Sequence, residues 1–311
     1  MISAPETIAN SSRTDEVHLA TTGIHFDRIL VATDFSQPAN KALNLAISIG
    51  EAFDSEIFLV HSVSTVPYSD GQEPIPAVLI SAALETARQE MKDLVAGEPR
   101  LAGLRLQTTV AYADPSRLVD QIAQDEKINL VVVGSQGANG LERMVLGSVA
   151  EDILRKMACP VLIAGPNCRI EQEPFKSILF ATDLDIHCLR AAQYASALAE
   201  RFDGQLTVLH TIPERPEAPT DESILLERRA VQQLRSLLPA DADLFCHPGV
   251  RVEYGSPAER IVSVAIAEAA TLLVLGLRNR SALADRAPWS KLSHIIREAK
   301  CAVLGVRGHL L

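Results

Sequence analysis

The chain alternates short, wholly apolar runs with longer segments in which apolar residues recur every three or four positions. Runs such as Ile29–Ala32, Leu130–Val133 and Leu272–Leu275 have the length of strands buried on both faces, which read as continuous rather than alternating hydrophobicity. The pattern predicts strands over Arg28–Thr33, Glu56–Val63, Arg105–Ala111, Leu130–Gly134 and Val161–Ala164. Helical periods fall between them, over Pro38–Phe53, Ala77–Ala96, Pro115–Glu126 and Ser148–Met157. The pattern then begins again. Strands are predicted over Ser177–Thr182, Gln205–Ile212, Val250–Tyr254, Leu272–Gly276 and Ala302–Val306, with helices over Cys188–Phe202, Asp221–Leu238, Pro257–Ala269 and Ser290–Glu298. Strand–helix alternation of this kind builds a parallel sheet with helices on its faces, the α/β class.

The second half repeats the first. Shifted by 149 positions, Ile29-Leu30-Val31-Ala32-Thr33-Asp34 overlies Ile178-Leu179-Phe180-Ala181-Thr182-Asp183, and the correspondence runs without a gap to His61 and His210. From Pro115 and Pro257 onward the shift is 142, so seven residues are missing from the middle of the second copy. The expectation is two doubly wound, five-stranded parallel-sheet domains in tandem. They would span 24–166 and 175–311, joined by a polar, Pro-bearing linker over 167–174 and preceded by a disordered tail over 1–23.

In such sheets ligands lie beyond the carboxyl ends of the strands, where the strand order reverses. The segment after the fourth strand reads Gly134-Ser135-Gln136-Gly137-Ala138-Asn139-Gly140-Leu141-Glu142-Arg143-Met144-Val145-Leu146-Gly147-Ser148, a G-x2-G-x9-G-S pattern. Glycines let backbone approach a phosphate without a Cβ in the way, and a helix starting at Gly147-Ser148 offers free amides and a positive dipole end. Arg143 lies inside this loop, where it can face either a phosphate or solvent.

Composition narrows the classes. The chain has 311 residues, of which 47% are hydrophobic and 22% charged, the mix of an ordinary globular protein with two domains. A net charge of -10 disfavours binding to nucleic acid or to anionic lipid. No apolar run reaches the length of a membrane span, and the amino-terminal segment has no signal-peptide core. The five cysteines form no CxxC or Cys/His cluster, which fits a reducing cytoplasm. Cys159 and Cys301, at equivalent positions, read as buried hydrophobes, and linker Cys168 reads as the best candidate for an exposed thiol.

Three features taken together, the Gly-rich motif, the Thr33-Asp34-Phe35-Ser36 turn and the Leu59-Val60-His61-Ser62-Val63 strand, resemble the universal stress protein family in its tandem form. The resemblance covers about 26–166 and 175–307. It implies the adenine nucleotide alpha hydrolase-like sheet of order 3-2-1-4-5, and an ATP site of the kind one branch of the family carries. Carried onto this chain, adenine meets Asp34 and Ser62 with Thr33 on the same edge, and ribose meets Gly134 next to Val133. The phosphates fall on Gly137, Gly147, Ser148 and the Val149 backbone, with Mg2+ accompanying them. Family members pair their fifth strands across a dimer. That implies an internal pseudo-dimer of the two copies here, with a homodimer of whole chains also open.

The second copy keeps Gly276 and Ser290 but has Asn279 and Trp289 where the other two glycines should stand, with Pro288 beside them. It is therefore expected not to bind ATP in the family manner. Arg278, Arg280 and Arg286 of that loop form at most a different anion site. His61 and His210 recur in equivalent strands without a paired nucleophile, which favours a structural role for both. The function expected is a cytoplasmic, nucleotide-dependent stress-response regulator or switch, with turnover slow if present. The alternative is a non-enzymatic scaffold with a vestigial site that recruits a protein partner. An adenylyl-transferring enzyme would carry a different signature after the first strand than Thr33-Asp34-Phe35-Ser36.

Overall fold

The computed structural model describes residues 23–64, 75–135, 146–170, 173–213, 220–240, 242–246, 248–277 and 286–308. The first repeat contains β1 (Arg28–Ala32), α1 (Gln37–Phe53), β2 (Glu56–Ser64), α2 (Ala77–Gly97), β3 (Arg105–Ala113), α3 (Pro115–Asp125), β4 (Leu130–Gly134), α4 (Ser148–Lys156) and β5 (Val161–Ala164). The second contains β6 (Ser177–Thr182), α5 (Leu189–Arg201), β7 (Gln205–Ile212), α6 (Asp221–Ser236), β8 (Gly249–Tyr254), α7 (Pro257–Ala267), β9 (Leu272–Leu277), α8 (Arg286–Glu298) and β10 (Ala302–Arg307). The residues missing from the second copy fall around its second helix: α6 has 16 residues where α2 has 21.

Each repeat has its strands in the order 3-2-1-4-5, all parallel. The halves are not separate sheets. β5 and β10 pair antiparallel, Leu162 opposite Leu304, so ten strands run continuously as β3-β2-β1-β4-β5-β10-β9-β6-β7-β8. Fifth strands this apolar are exposed edges in an isolated unit, and pairing them with each other removes both edges at once.

The core is accordingly divided by the sheet and not by the repeat. On one face Ile29, Val31, Ile178 and Phe180 pack under α1, α2, α5 and α6. On the other, Leu30, Val131, Leu179 and Leu273 pack under α3, α4, α7 and α8. Both clusters contain residues of both repeats. A second join lies under α1 and α5, where Phe53 meets Phe202 at 6.4 Å, each already stacked on its own neighbour, Phe26 or Phe175.

Two expectations from sequence are corrected. Cys168 is not exposed: it is 2% accessible, and Lys41 Nζ donates to its carbonyl at 2.8 Å while the Arg169 amide donates to Lys300 at 2.9 Å, so this part of the linker is packed against both repeats. Helix α8 begins at Arg286, four residues before the expected Ser290. Pro288 is tolerated because the first-turn amides of a helix have no partner to lose.

Candidate functional site

The strand order of the first repeat reverses between β1 and β4, and the residues singled out by sequence converge at the carboxyl ends of β1, β2 and β4. Ala32 pairs with Val60 on one side and Val133 on the other, and Thr33, Asp34, Ser62, Gly134 and Ser135 follow immediately. The Gly147 amide donates to the Ser135 carbonyl at 2.8 Å, which seats the start of α4 beside the end of β4. Ser148 and Val149 then open α4 and are exposed. Gly137 and Arg143 lie outside the described residues, as do Arg278, Asn279 and Arg280 of the second copy.

The turn after β1 is built by its own side chains. Thr33 Oγ1 accepts the Phe35 amide at 3.0 Å, and Asp34 Oδ1 accepts the Ser36 amide at 3.1 Å and hydroxyl at 2.5 Å. Phe35 takes φ 62, the left-handed region that a bulky residue occupies only when surroundings hold it. Ser36 then caps α1 by accepting the Ala39 amide. The second repeat forms the same turn: Thr182 Oγ1 accepts the Leu184 amide at 3.0 Å, Leu184 has φ 65, and Asp183 Oδ1 accepts the Asp185 amide at 3.1 Å. Because it recurs where the phosphate motif is degraded, this Asx turn belongs to the fold.

His61 and His210 follow the same logic. Each ring Nδ1 lies 2.8 or 2.9 Å from the carbonyl of Thr33 or Thr182. A carbonyl only accepts, so Nδ1 carries the proton and the ring ties β2 to the end of β1, or β7 to the end of β6. Ser62 donates its hydroxyl to the Ala113 carbonyl at 2.5 Å, so its proton is spent on the strand edge.

Gly134 has a packing reason for being glycine. A Cβ there would lie 2.8 Å from the Ala39 nitrogen and 2.8 Å from the Pro38 carbonyl carbon. Gly276, its counterpart, is crowded in the same way by Cys188, with Sγ 2.5 Å away. The first glycine of the motif is thus kept in both copies because the start of the helix after the first strand of each repeat lies against it. The start of α4 is different. Gly147 is its N-cap and provides no side-chain acceptor, whereas α1 and α3 are capped by Ser36 and Asp114. Among the described residues no side chain caps the first amides of α4, which leaves them to an acceptor from outside the helix.

Sequence reasoning missed two residues here. Ser135 is 1% accessible, and its Oγ has no hydrogen-bond partner among the described residues; the same holds for Asn40 Oδ1 in the first turn of α1. They flank the close contact of Gly134 with Ala39 in the chain. At the equivalent positions the second copy has Leu277 and Leu189. A polar residue in the copy with the intact motif and leucine in the other was a signal available from aligning the repeats.

Known proteins resolve what kind of chain this is. The sequence model of the Universal stress protein family matches residues 25–165 and again 174–307. The chain belongs to that family. Two universal stress proteins resemble it over the length of one unit. One from Methanocaldococcus jannaschii is 31% identical over 138 residues, 44% of this chain and 81% of its own. The Bacillus subtilis protein YxiE is 30% identical over 145 residues, 44% of this chain and 98% of its own. A solved universal stress protein from Archaeoglobus fulgidus matches 91% of this chain and 99% of its own with a TM-score of 0.68 at 21% identity, which shows that the fold is shared over both repeats. Among the described residues no helix is long and apolar enough to cross a membrane.

Proposed function

We propose that this universal stress protein binds one ATP per chain, in its first unit, and acts in the cytoplasm as a nucleotide-dependent regulator of a stress response. The observation that carries this reading is the start of α4, where Gly147 offers no side-chain cap and its amide bonds the carbonyl of Ser135, a residue whose buried Oγ has no partner among the described residues, as Asn40 Oδ1 at the start of α1 has none. A buried polar atom left unpaired costs about 1–3 kcal/mol, and a polar ligand that supplies its partner removes that cost. Leucine at both equivalent positions makes the second unit the non-binding one.

In this reading the Gly147, Ser148 and Val149 backbone and the Ser148 hydroxyl hold the phosphates, joined by Gly137. Thr33, Asp34 and Ser62 line the adenine end, and Val133 and Gly134 face the ribose. ATP supplies the negative charge that free helix-start amides favour, and Mg2+ enters with its phosphates. These residues bind and orient. The first unit is assigned to 24–166, the linker to 167–174 and the second unit to 175–311, and the two form an internal pseudo-dimer. Support for that pseudo-dimer comes from the β5–β10 pairing.

The test is to denature freshly purified protein and quantify released nucleotide per chain, for wild type and for Gly147→Trp, which copies the second unit. About one ATP per wild-type chain and little in the variant is expected. No nucleotide in either, and no heat of binding when Mg-ATP is added, would transfer the reading to a scaffold that recruits a protein partner.

A further inference from the structure

β10 ends at Arg307, whose side chain leaves its own repeat. This residue is only 8% accessible, and its guanidinium reaches across the β5–β10 seam to the carboxyl end of α4 in the first unit. Nε donates to the Met157 carbonyl at 3.0 Å, and Nη2 donates to Leu154 at 2.6 Å and Arg155 at 3.0 Å. These carbonyls belong to the end of a helix, where no amide of the helix itself can reach them. The two cations in the last turn of α4 face back along the helix instead, Arg155 to Glu151 and Lys156 to Asp152. The buried positive charge on this helix end therefore comes from the other repeat. Arg307 is itself held by Arg190, which donates to its carbonyl at 3.2 Å.

The opposite end of the same nine-residue helix is the Gly147-Ser148 start. Among the described residues nothing similar serves the second unit. The position matching Arg307 is Gly165, which abuts the end of α8 so closely that a Cβ would lie 2.4 Å from the Ile296 carbonyl oxygen. The neighbouring Arg297 carbonyl receives a neutral donor, Asn167 Nδ2 at 2.8 Å. The charged clamp is present on the helix whose start carries the intact glycine motif, and a glycine stands in its place on the other.

We propose that Arg307 is a positioning residue for the nucleotide site of the first unit. It clamps the carboxyl end of α4 so that the amides at the other end are held toward the phosphates, and nucleotide binding in turn tightens the grip of the second unit on the first. This rests on the ATP reading of that site. A cation at the carboxyl end and an anion at the amino end stabilise the same aligned peptide dipoles. Helix α4 is two and a half turns long and is otherwise anchored through Ala150, Ile153 and Leu154, so loosening its carboxyl end lets it shift on the core and moves its start. Coupling between two sites on one element is reciprocal by linkage.

The experiment uses the full chain with Arg307→Met, which keeps an apolar stem, and Arg307→Lys, which keeps the charge but not the planar fork. Mg-ATP affinity is measured by calorimetry, and amide hydrogen exchange is followed in α4 and β10 with and without Mg-ATP. Arg307→Met is expected to weaken Mg-ATP about five- to thirtyfold, with Arg307→Lys between it and wild type. Amides at the start of α4 should exchange faster in the nucleotide-free Met variant, and Mg-ATP should slow exchange in β10 of wild type only. A merely structural arginine would lower thermal stability and leave affinity and the β10 response unchanged. That outcome overturns the inference while the site reading stands. A wild-type chain that does not bind Mg-ATP overturns both. If Arg307→Met does not fold, wild-type affinity in the Lys variant together with an unchanged β10 response has the same refuting force.

Discussion

Replacing Gly134 by alanine separates two roles that a glycine at this place can have. If it is glycine only to admit a ligand, the nucleotide-free protein should not register the change. The structure says otherwise. The new Cβ would fall 2.8 Å from the Ala39 nitrogen and the Pro38 carbonyl carbon, and 3.1 Å from Pro38 Cβ, where ordinary contact begins at 3.4 Å. Two of these atoms are backbone in the first turn of α1, a helix capped by Ser36 and buried along Ala39, Ala42, Leu43 and Ala46. Either α1 or β4 must therefore give by about half an ångström, and overpacking of this sort costs about 1–3 kcal/mol. Against it stands a gain of about 0.4–1 kcal/mol from the stiffer unfolded chain. The net expectation is a loss of about 1–2 kcal/mol, or a midpoint lowered by several degrees at about 2–4 °C per kcal/mol. Thermal and urea unfolding of nucleotide-stripped protein measures it. Gly276→Ala is the companion, since its Cβ meets Cys188 Sγ at 2.5 Å and Cα at 3.2 Å in the unit without the motif. If nucleotide-free Gly134→Ala unfolds within about 0.5 kcal/mol of wild type, the packing account is wrong and the glycine serves the ligand.

Three further outcomes are expected. Asp114 caps α3 by accepting the Arg117 amide at 2.9 Å and the Ser116 hydroxyl at 2.8 Å, and these bonds hold its carboxyl below the ordinary range. A carboxyl lowered by folding contributes stability above its unfolded value, lost as pH falls through the folded one. Asp114→Ala should therefore cost about 1 kcal/mol at neutral pH, with the gap to wild type closing in acid below about pH 4. Burial pushes the thiols of Cys159, Cys168, Cys188 and Cys246 up to about 11 and Cys301 to about 12. A thiol raised by folding stabilises below its unfolded value and loses that contribution as pH climbs through the folded one. The urea midpoint should hold steady near neutrality and fall above about pH 9. In native protein at pH near 8, a thiol-exchange reagent should find no cysteine reacting at the rate of a free thiol, and rapid labelling of Cys168 would contradict its burial.

Much of the fold was legible because its signals are local. β4 and β5 begin and end where the apolar runs do, since parallel strands buried on both faces carry hydrophobicity at nearly every position. The repeat was legible as well, because equal backbones demand equal residues. Thr33 and Thr182, Asp34 and Asp183, and His61 and His210 make the same hydrogen bonds in the two copies. Where local rules misled, a distant contact had intervened. Cys168 looked exposed because its neighbours are polar, yet Lys41 and the chain before β10 fold over it. Helix α8 starts at Arg286 and not at Ser290, at a place where the sequences of the two copies have parted.

The sequence by itself determined the α/β class, the repeat, the strand set and the position of the Gly-rich motif at the switch point, because periodicity and glycine spacing act over a few residues. The pairing of the fifth strands was an expectation of the family resemblance, and only the tertiary structure decided that each face of the ten-stranded sheet is a core common to both repeats and that Arg307 of one unit closes a helix of the other. It also separated Gly134, crowded by a helix in both copies, from Gly147, which leaves a helix start open. The physical reason is that these properties depend on which surfaces meet. Edge pairing, close approach and the partner of a buried charge arise between residues more than a hundred positions apart in the chain.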